Sequence, residues 1–399
     1  MLFGIFLFMY IARQLSVEEM GIYGTVYLSI TLVVTIANLG LDYAAMRYIP
    51  FLLGKKDDLS LKSISRRIFF VFILSAFISS TLFYLFSRPI SLISFGSYDY
   101  TSLFQFSVIA TSSYILSSAC LGFLQGLQKF RYLALSRLAG QIIRIIATVV
   151  IMIIGYPLEG AIMGWAFLNL TIIICSAPVI LKKILFLKND NEYSHNYVTW
   201  KELFTFSLPM MGFFLMTYLS GSLDQFVVLN ILGVESMGLY YVAITTALTI
   251  TTVLGLPLIM TLTPSMSQTH GSLGIKGVAQ TLKVANRYVS LLYLPVPFAL
   301  ASVSPLALTV LGGIDYTDAS LSLAIISIGI STFGFSAIIQ SALTAIGKTK
   351  LILFTLIVAI LIELPVTFVL TMFFSLPGAA IGKTVMYFMM FGLLFFYGK

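Results

Sequence analysis

Leu15-Ser-Val-Glu-Glu-Met-Gly-Ile-Tyr23 returns 217 residues later as Leu232-Gly-Val-Glu-Ser-Met-Gly-Leu-Tyr240, with six of nine positions identical. Other pairs keep nearly the same interval. Tyr98-Asp-Tyr-Thr101 matches Ile314-Asp-Tyr-Thr317, and Leu158-Glu-Gly-Ala161 with Gly164 matches Leu376-Pro-Gly-Ala379 with Gly382. Basic turns correspond too, Lys129 and Arg131 with Lys348 and Lys350. Self-similarity at a fixed interval marks a repeated structural unit, so the second half of the chain is expected to repeat the first.

Composition says what is repeated. Of 399 residues, 59% are hydrophobic and only 10% charged, against roughly 45–50% apolar in soluble domains. Crossing about 30 Å of hydrocarbon takes about 20 apolar residues, and such runs fall near 1–12, 22–46, 68–87, 102–124, 138–156, 159–181, 203–229, 238–262, 286–311, 319–343, 351–375 and 379–397. The expected fold class is therefore an all-α polytopic membrane protein of about twelve spans. It divides into an N-terminal six-helix bundle (1–185), a cytoplasmic linker (186–202) and a C-terminal six-helix bundle (203–399). An even number of spans per repeat makes the repeats parallel, an architecture of transporters with the substrate site at the repeat interface. The polar stretch Leu187–Glu202 is too short for a soluble core. Cys120 and Cys175 lie in apolar runs and read as buried thiols rather than a disulfide framework.

Net charge is +8, and placement explains it without nucleic acid. Nineteen of the 23 Lys and Arg residues fall on one side of the spans, among them Arg66, Arg67, Lys129, Arg131, Lys276, Lys283, Lys348 and Lys350. The opposite side carries Glu18, Glu19, Asp99, Glu159, Glu235, Asp315 and Asp318 with only Arg13 and Arg88. By the positive-inside rule the basic side is cytoplasmic, which puts both termini in the cytoplasm of a multi-pass cell-membrane protein. The basic loops are also suited to touch anionic lipid headgroups.

Glycines four apart, Gly122/Gly126, Gly160/Gly164 and Gly378/Gly382, permit close helix approach. Pro257, Pro295, Pro297 and Pro365 interrupt spans and read as kinks or hinges. Five ionisable residues sit inside spans: Asp42, Arg144, Asp224, Glu363 and Lys383. Charges there face a wet cavity or pair with one another. Arg144 and Lys383 are placed to attract an anionic substrate. Asp224, Glu363 and Asp42 are candidates to hold a proton or sodium ion, or to neutralise those cations; the alternative at each is a structural ion pair. Asn38, Gln141, Asn169, Gln225 and Gln340 are expected to line the same cavity or to bond neighbouring helices.

Gly347-Lys-Thr349 and Gly382-Lys-Thr384 lack the earlier glycine of a phosphate-binding loop, which is Ala342 in one and Pro377 in the other, so no nucleotide site is expected. His195 and His270 stand alone in loops without a second metal ligand. No nucleophile–base constellation can be assembled, and no enzymatic activity, cofactor or metal is expected.

Four segments together resemble the polysaccharide flippases of the multidrug/oligosaccharidyl-lipid/polysaccharide exporter superfamily, the O-antigen-flippase-like branch. They are Ala12–Gly24 with the following Leu39-Gly-Leu-Asp42 and Arg47; Ser222-Leu-Asp224 with the second motif copy; Leu311–Tyr316; and Gly378-Ala-Ala-Ile-Gly382. The resemblance implies a V-shaped cavity opening alternately to each side and movement of a lipid-pyrophosphate-linked oligosaccharide between leaflets, driven by a proton or sodium gradient. It implies that Arg144 and Lys383 receive the anionic headgroup and that Asp224 serves ion coupling. The implied partners are membrane lipids and the lipid-linked substrate, with a monomeric protein working near glycan-assembly enzymes. A multidrug exporter of the same superfamily and a peptidoglycan-precursor flippase are the alternatives within this class; a non-transporting scaffold is the alternative outside it.

One departure stands out. The seventh span starts near Leu203, so its counterpart in the first repeat would begin about fourteen residues before Met1. Residues 1–12 cover only ~18 Å at 1.5 Å per residue, so the expectation is either a misassigned start site or a stunted first helix.

Overall fold

The computed structural model describes residues 2–54, 58–185, 199–250, 253 and 256–397. Lys55, Lys56, Lys188, His195, Lys399 and most of the expected linker lie outside the described residues. In the first half come α1 (Leu2–Gln14), α2 (Val17–Ala37), α3 (Leu41–Gly54), α4 (Asp58–Leu85), α5 (Ser87–Phe95), α6 (Thr101–Gly126), α7 (Phe130–Ile153) and α8 (Pro157–Leu185). The second half has α9 (Trp200–Leu232), α10 (Val234–Ile250), α11 (Leu256–Tyr293), α12 (Pro295–Ser302), α13 (Ser304–Leu311), a 3₁₀ turn (Ile314–Ala319), α14 (Ser320–Ile330), α15 (Phe333–Ala345) and α16 (Thr349–Tyr397).

Among the described residues, eight helices are long and apolar enough to cross a membrane, and nine if the bent pair covering 272–311 is one span. α16 is counted once although Ser375, with φ 53 and ψ −134, breaks it where two spans are expected to adjoin. α1 is a shorter apolar helix of 13 residues, and α10 is an apolar helix of 17 residues. These account for the twelve expected segments, and the chain is an all-α, multi-pass membrane protein. Its outward faces carry the solvent's signature: Phe77, Ile93 and Phe373 are more than 70% exposed, as side chains bathed in hydrocarbon are.

The expected span 22–46 is two helices. Leu39 and Gly40 adopt positive φ and end α2, and a Cβ on Gly40 would run into the Ser207 carbonyl oxygen. Only glycine allows that approach of α9. The break places Asp42 in the first turn of α3, where free backbone amides favour a carboxylate. A second correction concerns the basic stretch 263–285, expected as a loop: it is helical and belongs to α11, and His270 lies within it. A third is Cys175, which is exposed on the outer face of α8, whereas Cys120 is buried.

The chain packs as two compact units. One comprises residues 2–7 and 25–218, and α6 packs on α3, α4 and α8 within it while α7 packs on α8. The other joins residues 8–24 to 219–399, so the first copy of the repeated motif packs with the half that contains the second copy. Both copies have the same form, a turn followed by a helix starting at Val17 or Val234. Ser16 and Glu19 cap the first reciprocally: the Ser16 amide donates to Glu19 Oε2 at 2.8 Å, and the Glu19 amide to Ser16 Oγ at 3.2 Å. That is the capping box. Met20, Met237 and Tyr240 are fully buried, and Tyr23 nearly so. The two copies meet through equivalent glycines. A Cβ on Gly21 would collide with the Val234 carbonyl oxygen, and one on Gly238 with that of Val17. Close backbone approach of this kind gains dispersion contacts that larger residues forbid.

Candidate functional site

In the unit containing residues 25–218, α7 and α8 cross where Gly164 meets Thr148; a Cβ on Gly164 would run into Thr148 Oγ1 and fall 3.4 Å from Arg144 Cγ. The glycine draws α8 against the stem of Arg144, one turn before Thr148. The next residue, Trp165, takes the head: the guanidinium carbon lies 3.4 Å from its ring centroid. Trp165 in turn stacks on Tyr27, centroids 4.8 Å apart at 27°. Arg144 is 8% exposed, its Nε has no hydrogen-bond partner, and it forms no ion pair among the described residues. Among the described residues it is a buried cation with one aromatic ring against its head and no counter-charge. Cation–π attraction of this kind is worth about 2 kcal/mol when desolvated, less than the several kcal/mol that removing an ion from water costs. An anion arriving there would make up the difference.

The other unit holds the opposite arrangement. Lys383 on α16 lies between Asp224 on α9 and Glu363 on α16, with Nζ 3.0 Å from Asp224 Oδ1 and 3.2 Å from Glu363 Oε1. It also donates to the Ser220 carbonyl oxygen at 2.5 Å. An ammonium has three protons, so all its donors are committed inside the protein. The Tyr240 hydroxyl donates to Asp224 Oδ2 at 2.7 Å, whereas Glu363 Oε2 has no partner among the described residues. All three charged residues are fully buried. With two carboxylates and one ammonium ionised, the cluster carries one uncompensated negative charge, and a single bound cation or proton neutralises it.

The structure therefore brings Asp224, Glu363 and Lys383 together and places Arg144 in a separate unit. Asp42 joins neither group. It is half-buried, its backbone is pressed on by Gly122, and nearby Arg47 lies instead over the Phe206 ring at 4.4 Å. Of the neutral candidates, Asn169 accepts from the Ser117 hydroxyl at 2.7 Å and ties α8 to α6. Gln225 bonds within its own helix, and Asn38 Oδ1 and Gln141 Nε2 are buried without partners. Trp165, Tyr27, Tyr240 and Ser220 were missed from sequence. Tyr240 had a signal, as the last residue of the repeated motif; Trp165 had a weaker one, as one of only two tryptophans and the residue after Gly164.

The family model described as polysaccharide biosynthesis protein matches residues 1–270. A comparison with curated protein sequences finds no match. Among solved structures, the fold is similar to an inward-facing multidrug resistance MATE family transporter of the MOP superfamily, with TM-score 0.77 and 15% identity over 100% of this chain and 93% of that one. It is similar to the lipid II flippase MurJ in an inward closed conformation, with TM-score 0.69 and 18% identity over 99% and 85%. It is also similar to the Vibrio cholerae MATE transporter VcmN in its bent form, with TM-score 0.66 and 14% identity over 99% and 94%. At these identities the likeness establishes the fold.

Proposed function

Since the chain belongs to the polysaccharide biosynthesis protein family and has the fold of MOP-superfamily transporters, we propose that it is an ion-gradient-coupled flippase that moves a lipid-linked oligosaccharide across the cytoplasmic membrane by alternating access, with both termini in the cytoplasm. Arg144 carries this reading. A buried guanidinium without a counter-ion among the described residues is suited to an anion, and its planar fork matches the oxygens of a phosphate or pyrophosphate. Of the two intramembrane cations the headgroup goes to Arg144, because the protons of Lys383 are all donated to protein acceptors. A cationic drug would be repelled at the same place, which argues against a multidrug exporter. A peptidoglycan precursor carries the same headgroup chemistry and falls within the proposal.

Coupling is assigned to Asp224, Glu363 and Lys383. The bare Oε2 of Glu363 and the excess negative charge supply a place for one proton or sodium ion, and its arrival or departure changes the charge of a buried cluster, where the local dielectric makes that change costly. Transport of this kind needs no bond chemistry from the protein.

The test follows leaflet-to-leaflet movement of a fluorescent polyprenyl-pyrophosphate oligosaccharide in liposomes under an imposed ion gradient, comparing wild type with Arg144→Ala. Gradient-dependent movement that the variant loses supports the reading. No movement, together with gradient-driven efflux of a cationic dye, overturns it in favour of the multidrug exporter.

A further inference from the structure

α11 changes direction at Gly274, whose φ of 63 and ψ of −150 interrupt the helix. Beyond that point its residues Ile275, Leu282 and Asn286 fall on one stripe, and with Ile339 of α15, Ile346 just after it and Phe395 of α16 they line a groove of about 510 Å³. Asn286 is the one polar residue in its lining among the described residues. A second stripe runs beside the first. Lys283 and Arg287 lie seven and eleven positions after Lys276, so at 100° per residue each falls within about 20° of Lys276 around the helix, and each of the three directly follows a groove-lining residue. All three are exposed, as are Lys348 and Lys350, which follow Ile346 by two and four residues. None of the five forms an ion pair among the described residues. The acids of residues 219–399 are Asp224, Glu235, Asp315, Asp318 and Glu363; two are committed to Lys383, and the others lie at or just before the starts of α10 and α14. Nothing among the described residues neutralises the basic stripe.

An apolar groove bordered by uncompensated cations has the chemistry of an anionic lipid's binding site. We propose that it holds the isoprenoid chain of the lipid-linked substrate, with the pyrophosphate on the basic stripe of α11 and the turn at Lys348 and Lys350. The proposal rests on the flippase reading. Five cations suit two phosphates better than the single phosphate of an ordinary phospholipid, and a free pyrophosphate would leave the apolar lining unused. The groove docks the substrate outside the unit that contains Arg144, so docking and headgroup transfer are separate steps with separable residues.

The experiment uses the full chain in neutral phosphatidylcholine nanodiscs and benzophenone-bearing farnesyl pyrophosphate, with the crosslinked peptides identified by mass spectrometry. Labels are expected on α11, α15 and α16, with competition by unlabelled farnesyl pyrophosphate but not by phosphatidylglycerol or inorganic pyrophosphate. Ala279→Phe, which fills the groove, should weaken labelling about tenfold, the equivalent of losing about two buried methylenes. Lys276→Gln and Lys283→Gln should each weaken it about fivefold. Equal competition by phosphatidylglycerol would make the groove an ordinary lipid site, and competition by pyrophosphate alone would make it an anion site without a chain; either overturns the proposal, as do labels confined to other helices. Labelling that persists while the liposome assay shows no substrate movement would defeat the flippase reading and leave the groove standing.

Discussion

Glu363 stands in one repeat where Arg144 stands in the other. Each lies four residues before a threonine, Thr367 or Thr148, and a Cβ on the glycine that faces that threonine, Gly382 or Gly164, would run into its Oγ1. One residue past each glycine stand Lys383 and Trp165. The same helix crossing thus brings Glu363 to 3.2 Å from Lys383 in one repeat and sets Arg144 over Trp165 in the other. Duplication kept the backbone contact, and divergence of two side chains turned one crossing into an acid–base cluster and the other into a lone cation.

Trp165 positions Arg144. Trp165→Ala should release the guanidinium and weaken pyrophosphate-dependent substrate binding about tenfold or more, from loss of an attraction of about 2 kcal/mol, whereas Trp165→Phe should retain most of it. Arg144→Lys should bind less well than wild type, because an ammonium lacks the planar fork. Titration of the reconstituted protein with fluorescent substrate measures all three, and equal affinity across the series would remove Arg144 from the site.

Lys383→Met leaves two carboxylates buried without their cation and should cost about 3–5 kcal/mol, read as a lowered thermal midpoint in detergent. The triple change Lys383→Met, Asp224→Asn, Glu363→Gln removes the charges together and should recover much of that loss. If the cluster couples transport to an ion, the triple variant folds but moves substrate no faster with a gradient than without one. Retained gradient dependence would make the cluster a structural ion pair.

The contact between the two motif copies predicts a contrast among glycines. Gly21→Ala and Gly238→Ala each force a methyl into backbone and should cost about 1–3 kcal/mol by overpacking. Gly221→Ala, in α9 with no atom within 4 Å of the added Cβ, should be neutral or slightly stabilising, since alanine is favoured over glycine in a helix by roughly 1 kcal/mol. Thermal unfolding of the three variants separates these outcomes.

Ser16→Ala removes one half of the capping box at the start of α2 and should cost about 1 kcal/mol. Amide exchange in the first turn of α2 should quicken in the variant while that of α6 stays unchanged.

The spans and the repeat could be read without coordinates because both are local or periodic properties. Apolar length decides what crosses a bilayer, and the repeat shows at a constant interval where close backbone approach requires glycine, as at Gly21 and Gly238. The five intramembrane charges were equally visible, since hydrocarbon makes each one conspicuous. Their partners were not. Whether a buried lysine meets two carboxylates or none depends on which helices bring which faces together, and Asp224 lies 159 residues from Lys383. Lys383 and Arg144 therefore read alike as lumen cations, although packing saturates the first and leaves the second with an aromatic ring alone. The break at Leu39 and Gly40 was hidden for the same reason: an apolar run continues through it, and only the approach of α9 requires the turn. Sequence determined that this chain crosses a membrane as a duplicated helical unit; the tertiary structure decided which charges are neutralised, because electrostatic compensation acts between side chains that only folding makes neighbours.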